Sequence, residues 1–424
     1  MKKNISGKSY LIIGLILLII GVLTLIGSVP LFKNVANLVL IFMVLKSIKE
    51  LFGFLIIKSR KDIKLFNKIF NVIISIFALI FNEYSIAILP LLFSFYALLN
   101  AIIKIINYIL LKLNKVKSRF SELFLGIFYL FVGIVVLLGP IVYLGFVLTV
   151  LGLYSILLGI SFIFDYLEIN HYRKFFKIKI CLPSILEAFI PISILQRINK
   201  AINNDEEIVM ETKKKNITPD LEIFIHVTEN GYGTLGHMDI YYNNEVLSYG
   251  NYDIKSYKFH DGIGRGILFT AKDKEKYIKF CIEDNKKTIF SFGLKLNEQE
   301  KEKINKNINK IKEQLKEWNP PYVEAKNNNR KVKKEDYMDY SSRLYRATNA
   351  KFYKFKVGKF KSFCVIGNNC VSFANKIIGS SLKDKFKLYG VLTPGTYYGY
   401  LEREFMKKNS IVVSKRIYKK SSKY

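Results

Sequence analysis

At 424 residues the chain has room for two or three domains. Half of its residues are hydrophobic and 23% are charged, with a mean hydropathy of +0.19, which excludes a single amphipathic globule and fits a greasy part joined to a charged part. The net charge of +31 does not point to nucleic acid. Much of the lysine sits in loops beside apolar runs, where membrane proteins keep it, and the rest is spread through a segment rich in Asn and Ile. The four cysteines, Cys181, Cys281, Cys364 and Cys370, form no CxxC pair. Neither a zinc knuckle nor a redox dithiol is expected, and a reducing compartment is the simpler reading. No metal and no cofactor is implied.

From Tyr10 to Ser28 the chain reads YLIIGLILLIIGVLTLIGS, uncharged and long enough to cross a bilayer. Similar runs follow at 35–57, 66–82, 84–111, 121–139 and 141–166, and no A-x-A-like site follows the first, so it is a span and not a cleaved signal. About six helices in three hairpins are predicted. Close turns are expected at SVPLFK, FNEYS and LGPIV, with basic links at KSRKDIK and KLNKVKSR. Hairpin starts near residues 10, 66 and 121 give a period of about 55, a degenerate threefold repeat. Glycines recur seven apart at Gly14/Gly21, Gly126/Gly133 and Gly152/Gly159, on one helix face, where small residues let helices approach closely. In this layout the N-terminal half resembles the HdeD-like acid-resistance membrane proteins, which are likewise built of three short-turn hairpins with glycine-rich spans.

Basic residues are asymmetric. Lys2, Lys3, Lys8, Lys58, Arg60, Lys61, Lys64, Lys112, Lys115, Lys117, Arg119, Arg173, Lys174 and Lys177 fall on one side, against Lys33 and Glu83 on the other. The positive-inside rule puts both ends of the bundle in the cytoplasm. Lys46 and Glu50, inside the second span, are four apart and able to pair. They mark either a polar pathway or a span that ends early, with snorkelling lysines. The bundle is assigned to 1–170 and an interfacial segment and linker to 171–216. In the latter, 180–195 is short, broken by Pro183 and Pro191, and flanked by basic residues. A seventh span there would move everything after it to the other side.

Residues 217–424 are soluble in character and domain-sized. Strands are expected at Leu221–Val227, HMDIYY, EVLSYG, GILFTA, TIFSFGLKL, KFYKFKVG and KSFCVIG, with NN as the turn of a hairpin. A helix from Asn297 to Trp318, with Ile304, Ile308, Ile311 and Leu315 on one face, should be stopped by NPP. The stretch to Arg346 reads as irregular. Helices are expected after Cys370 and in TPGTYYGYLEREF. The class is α+β with an antiparallel sheet.

A thiol attacks as thiolate, which a helix N-terminus and a nearby histidine both favour. Asn369 is a favoured N-cap and puts Cys370 on the first turn of its helix. Of the four histidines, His171 lies at the membrane end, His226 near a strand end and His260 in a loop. His237 opens a strand just after a glycine and is well placed to face a cleft. If Asn243 and Asn244 turn the hairpin, Tyr242 pairs with Glu245 and His237 with Gly250, leaving room for a helix terminus or substrate. Asp239 and Ser248 then share the face of His237. Either of them, or Asp253, is able to orient the imidazole.

The GHMDIYY strand, the following SYG strand and the later N-C helix start together resemble the permuted papain-like fold. Its relatives include NlpC-type cell-wall amidases and lecithin retinol acyltransferase-like proteins. The resemblance implies Cys370 as nucleophile and His237 as its base. The chain departs at the third polar position, where it offers Ser248, Tyr249 and Gly250. The expectation is a membrane-anchored cysteine hydrolase or acyltransferase with the lipid bilayer as its partner and no nucleic acid. A binding-only stress or envelope protein, or a transporter-like bundle with a regulatory tail, is the alternative. The charge asymmetry predicts a cytoplasmic C-terminus. A reporter fused after Tyr424 should be active only in its cytoplasmic form, and activity only outside the membrane would contradict it.

Overall fold

The structure is a computed structural model that describes residues 7–56, 62–170, 210–213, 217–228, 236–259, 261–379, 381–382 and 393–419. The expected interfacial segment 180–195, His171, His260 and Cys181 lie outside the described residues. Two compact units are present. One comprises Ile12–Tyr108 and Phe120–Ile160; the other comprises the described parts of Met1–Leu11, Ile109–Arg119 and Ser161–Tyr424.

The N-terminal half is helical: α1 (Gly7–Ile26), α2 (Ser28–Ile56), α3 (Asp62–Ile80), α4 (Asn82–Leu113), α5 (Phe120–Leu138) and α6 (Leu144–Asn170). All but α3 are long and apolar enough to cross a membrane. Among the described residues, the apolar stretch found in α3 is Leu65–Ile80, and five helices meet the length. The turns are tighter than expected. Pro30 enters the first turn of α2, where a missing N–H costs nothing, and only Gly27 separates α1 from α2.

The glycines set helix spacing within the first unit. A Cβ at Gly21 would lie 2.7 Å from the Gly152 carbonyl oxygen, and one at Gly159 would lie 2.7 Å from that of Gly14. The two seven-residue glycine pairs therefore press α1 and α6 backbone to backbone. Gly133 of α5 packs on Leu98 of α4, and Ser94 donates to the Gly133 carbonyl at 2.7 Å. Between α2 and α3, Ser47 and Ser75 are bonded at 3.0 Å. Glu50 takes Lys68 of α3 as its close partner, with Lys46 farther off at 4.0 Å. Glu50 is thus paired across two helices.

The second unit is built on a nine-stranded antiparallel sheet. Its strands are β1 (Met210–Lys213), β2 (Leu221–Val227), β3 (His237–Tyr242), β4 (Glu245–Gly250), β6 (Ile267–Ala271), β7 (Thr288–Leu294), β8 (Leu315–Glu317), β9 (Lys351–Phe355) and β11 (Val412–Tyr418), in the order β1-β11-β7-β2-β3-β4-β6-β9-β8. β5 (Ile263–Arg265) and β10 (Ser362–Cys364) form a separate ribbon. The expected hairpin is present: Tyr242 pairs with Glu245 and Asp239 with Ser248. Asn243 and Asn244 both adopt the left-handed conformation that such a two-residue turn needs.

Both faces of the sheet are covered, by helices α7 (Lys274–Glu283), α8 (Glu298–Lys312), α9 (Pro321–Asn327), α10 (Lys334–Met338), α11 (Tyr340–Thr348), α12 (Cys370–Ile378) and α13 (Pro394–Met406). Alternation along β2 divides the core. Ile223 and Ile225 join α8, α12 and α13, whereas Phe224 joins α7 and Leu344 of α11.

Several expectations change. The lysine-rich helix ends at Lys312, where its apolar stripe ends, and Leu315 instead enters β8 against Phe355. Pro321 opens α9 and does not simply stop the preceding helix. The stretch read as irregular contains α9, α10 and α11. Met210–Lys213, in the stretch read as linker, pairs with β11 at the sheet edge. The last turns of α6 also belong to this unit. Lys407 Nζ lies 2.5 Å from both Glu404 and Glu168, and Arg403 Nε lies 3.4 Å from Asp165.

Candidate functional site

Each residue of GNNC has a structural task. The Asn368 amide donates to the Lys359 carbonyl at 3.1 Å, and that of Asn369 to the Val365 carbonyl at 2.9 Å. The Asn369 side-chain oxygen accepts from the Ser372 N–H at 2.9 Å, capping α12 and putting Cys370 at its first position. The N–H groups of Cys370 and Val371 have no acceptor within the helix, as in any first turn. Behind the cysteine, Phe373 stacks on Tyr249 of β4 with ring centroids 5.1 Å apart, and the Tyr249 hydroxyl donates to the Phe360 carbonyl at 3.0 Å. These contacts fix the N-terminus of α12 over the sheet.

His237 begins β3, and Gly236 sets the chain's entry. Its φ of +87° is a left-handed value, and a Cβ there would lie 2.8 Å from Pro394 at the start of α13. A glycine is therefore required on both counts. Cys370 lies close enough to the His237 ring to act on its charge. The ring's Nε2 faces three oxygens: Asp239 Oδ1 at 2.9 Å, Ser248 Oγ at 3.0 Å and Tyr252 OH at 3.1 Å. The structure brings the two sequence-predicted residues, Cys370 and His237, together. It answers the open question of the imidazole's neighbour with Asp239 and Ser248, while Asp253 is held by Lys354 at 2.8 Å.

Sequence reasoning missed what surrounds Asp239. Its carboxylate is fully buried, yet Tyr277 of α7 donates to Oδ2 at 2.5 Å and His226 Nε2 lies 2.7 Å from the same oxygen. Burial raises the phenol of Tyr277 well above 10, so it keeps its proton to donate. The signal for His226 was available in its position. It sits on β2 directly across from His237 in the β2–β3 register, and Phe224 sits across from Asp239. Tyr277 lies on a helix the sequence did not reveal.

The room expected opposite His237 is filled. A Cβ at Gly250 would meet the Tyr252 ring at 2.7 Å, so the glycine makes space for Tyr252 and not for a ligand. Tyr252 stacks on Tyr340, with centroids 5.3 Å apart, and aims its hydroxyl at His237 and Ser248.

The electrostatics separate the two histidines. Burial opposes charge on His237, but Cys370 and the Asp239 carboxylate beside it outweigh that, raising its pKa to about 10. At His226 burial wins over Asp239 and pushes the pKa down to about 4. Burial would raise Asp239; the two imidazoles hold it well below the usual carboxylate range. His226 is then neutral and His237 charged at neutral pH. The arrangement is a thiol, a protonated imidazole and a buried carboxylate in line, suited to nucleophilic acyl chemistry. Among the described residues, no group of three or more His, Cys, Asp and Glu side chains is placed to hold a metal.

A family model described as a short repeat of unknown function (DUF308) matches residues 69–138, which covers most of α3, all of α4 and α5. This is the repeat of the HdeD-like membrane proteins, and with the five apolar helices it makes the N-terminal half a membrane region. No curated protein and no solved structure matches the chain significantly.

The histidine pair predicts a two-sided pH profile. The charged form of His237 stabilises the fold fully below its ordinary 6.5, and that contribution is lost as pH rises through about 10. Unfolding lets His226 take up a proton between about 4 and 6.5, so stability falls as pH drops through that window. The thermal midpoint of the full chain in detergent should therefore peak near pH 6.5. His226→Gln should flatten the acid limb above about pH 5, where ordinary carboxylates have finished titrating. An unchanged acid limb would refute a buried neutral His226.

Proposed function

We propose that the protein is a membrane-anchored cysteine hydrolase or acyltransferase, with Cys370 as nucleophile and His237 as its acid–base partner. The observation that carries this reading is the His237 ring, set 2.9 Å from the buried Asp239 carboxylate and near Cys370 at the first position of α12. The Cys370 sulfur attacks the carbonyl carbon of an amide, ester or thioester. The carbonyl oxygen becomes an oxyanion, for which the free N–H groups at the start of α12 are the available donors. His237 gives its proton to the leaving group as the tetrahedral adduct collapses to an acyl-enzyme. In the second half, neutral His237 takes a proton from water or another acceptor, which attacks the acyl carbon and releases Cys370. The permuted papain-like resemblance supports the roles of Cys370 and His237, and Asp239, 2.9 Å from His237 Nε2, is taken as the third residue in place of the family's position on the second strand. The charge asymmetry of the loops supports a cytoplasmic side for this chemistry, and the membrane region favours lipid, lipidated or membrane-near peptide substrates.

The four thiols are then unequal. Burial pushes Cys281 up to about 11 and raises Cys364 as well, so both should resist alkylation. Iodoacetamide labelling of the full chain near neutral pH, read by mass spectrometry, should modify Cys370 first. His237→Ala should slow that labelling about tenfold or more. Labelling of Cys281 or Cys364 ahead of Cys370, or a rate indifferent to His237, would overturn the assignment.

A further inference from the structure

Away from the thiol, a cavity of ≈ 290 Å³ is walled by Arg265, Lys316, Lys354, Lys356, Lys361 and Ser362, among other residues. Among the described residues no carboxylate lines it. Lys354 is compensated by Asp253 at 2.8 Å and lies over the Trp318 ring at 4.8 Å. Among the described residues, Arg265, Lys316, Lys356 and Lys361 have no acidic partner within ion-pair distance. Lys316 also stands directly across from Lys354 in the β8–β9 register. Like charges so placed repel, and the arrangement is relieved when an anion sits between them. Two further features locate the cavity. Ser362 donates to the Asn114 side chain at 3.1 Å, and Asn114 directly follows α4, a membrane-capable helix. Val357, next to Lys356, is 60% exposed, an apolar residue beside the cationic wall.

We infer that this cavity is a binding site for the phosphate of an anionic phospholipid headgroup. Four uncompensated cations supply the charge and N–H donors that a phosphate takes. The end of α4 brings the cavity within a side chain's reach of a bilayer-crossing helix, and Val357 offers an apolar contact that a free phosphate does not use. The basic link Lys112, Lys115, Lys117 and Arg119 follows the same helix and adds attraction for an anionic surface. The site is independent of the thiol chemistry and holds the lipid at the sheet edge formed by β8 and β9.

The test uses the full chain in nanodiscs of phosphatidylcholine, with or without phosphatidylglycerol, and acetylation of lysine amines read by mass spectrometry. Phosphatidylglycerol should protect Lys316, Lys356 and Lys361, while the exposed Lys279 and Lys303 react as before. Equal protection by inorganic phosphate in phosphatidylcholine discs would make this a free-anion site and overturn the lipid assignment. Protection spread evenly over Lys279 and Lys303, or absent altogether, would overturn the site. In detergent, Lys316→Gln/Lys356→Gln should bind short-chain phosphatidylglycerol roughly twentyfold more weakly than wild type. Unchanged affinity contradicts the inference. If that variant does not fold, the wild-type protection pattern alone decides.

Discussion

Asp239 is a carboxylate with no exposed surface, and burying such a charge is costly unless it is paired and hydrogen-bonded. Its partners come from three separate elements: His237 two residues along β3, His226 from β2, and Tyr277 from α7. Much of the candidate site follows from that constraint. The negative charge draws protons toward His237, which has the additional partner Cys370, and leaves His226 neutral in a drier position. Replacing Tyr277 would leave one oxygen with a single neighbour, so α7, on the far side of the sheet from α12, has a direct part in positioning the base.

The thiol depends on a different set of contacts that converge on the same point. Asn369 caps α12, Tyr249 and Phe373 stack its first turn onto β4, and Gly236 brings β3 in beside Pro394. Sheet alternation explains how both sets fit. Asp239 and Ser248 are paired across β3 and β4 and face α7, whereas Tyr249, one residue on, faces α12. His237 is the residue at the strand end, where the two faces meet. A one-residue slip in the β3–β4 hairpin would move Asp239 to the wrong face. The left-handed pair Asn243–Asn244 guards against it.

Local signals were legible in the sequence, and non-local ones were not. The glycine spacing in α1 and α6 predicted close packing, and the structure shows backbone contacts at those residues. The NN turn set the hairpin register, and Asn369 marked the helix start, so Cys370 and His237 could be named. Three things were hidden. The α7 helix is short, and its apolar residues Tyr277, Phe280 and Cys281 sit among lysines and glutamates, which blurs its period. β8 was absorbed into a helical pattern because Leu315 continues the spacing of Ile304, Ile308 and Ile311; pairing with β9 overrides that local preference. Gly250 was read as open space, because nothing in a glycine says which neighbour, here Tyr252, will occupy it.

The membrane half shows the same division. Composition identifies the apolar helices, but not that Glu50 would find Lys68 on the next helix in preference to Lys46 on its own. Among the described residues, five helices meet the crossing length.

The central claim is that Cys370 and Asp239 together keep His237 protonated while His226 stays neutral. Nitrogen NMR of the full chain, labelled only at its histidines, reads this directly at pH 8. The account predicts an imidazolium assigned to His237 by its loss in His237→Gln, which becomes neutral in the double variant Cys370→Ala/Asp239→Asn. His226, assigned in the same way, should be neutral in wild type. A neutral His237 at that pH, or a His237 imidazolium that persists in the double variant, would contradict it.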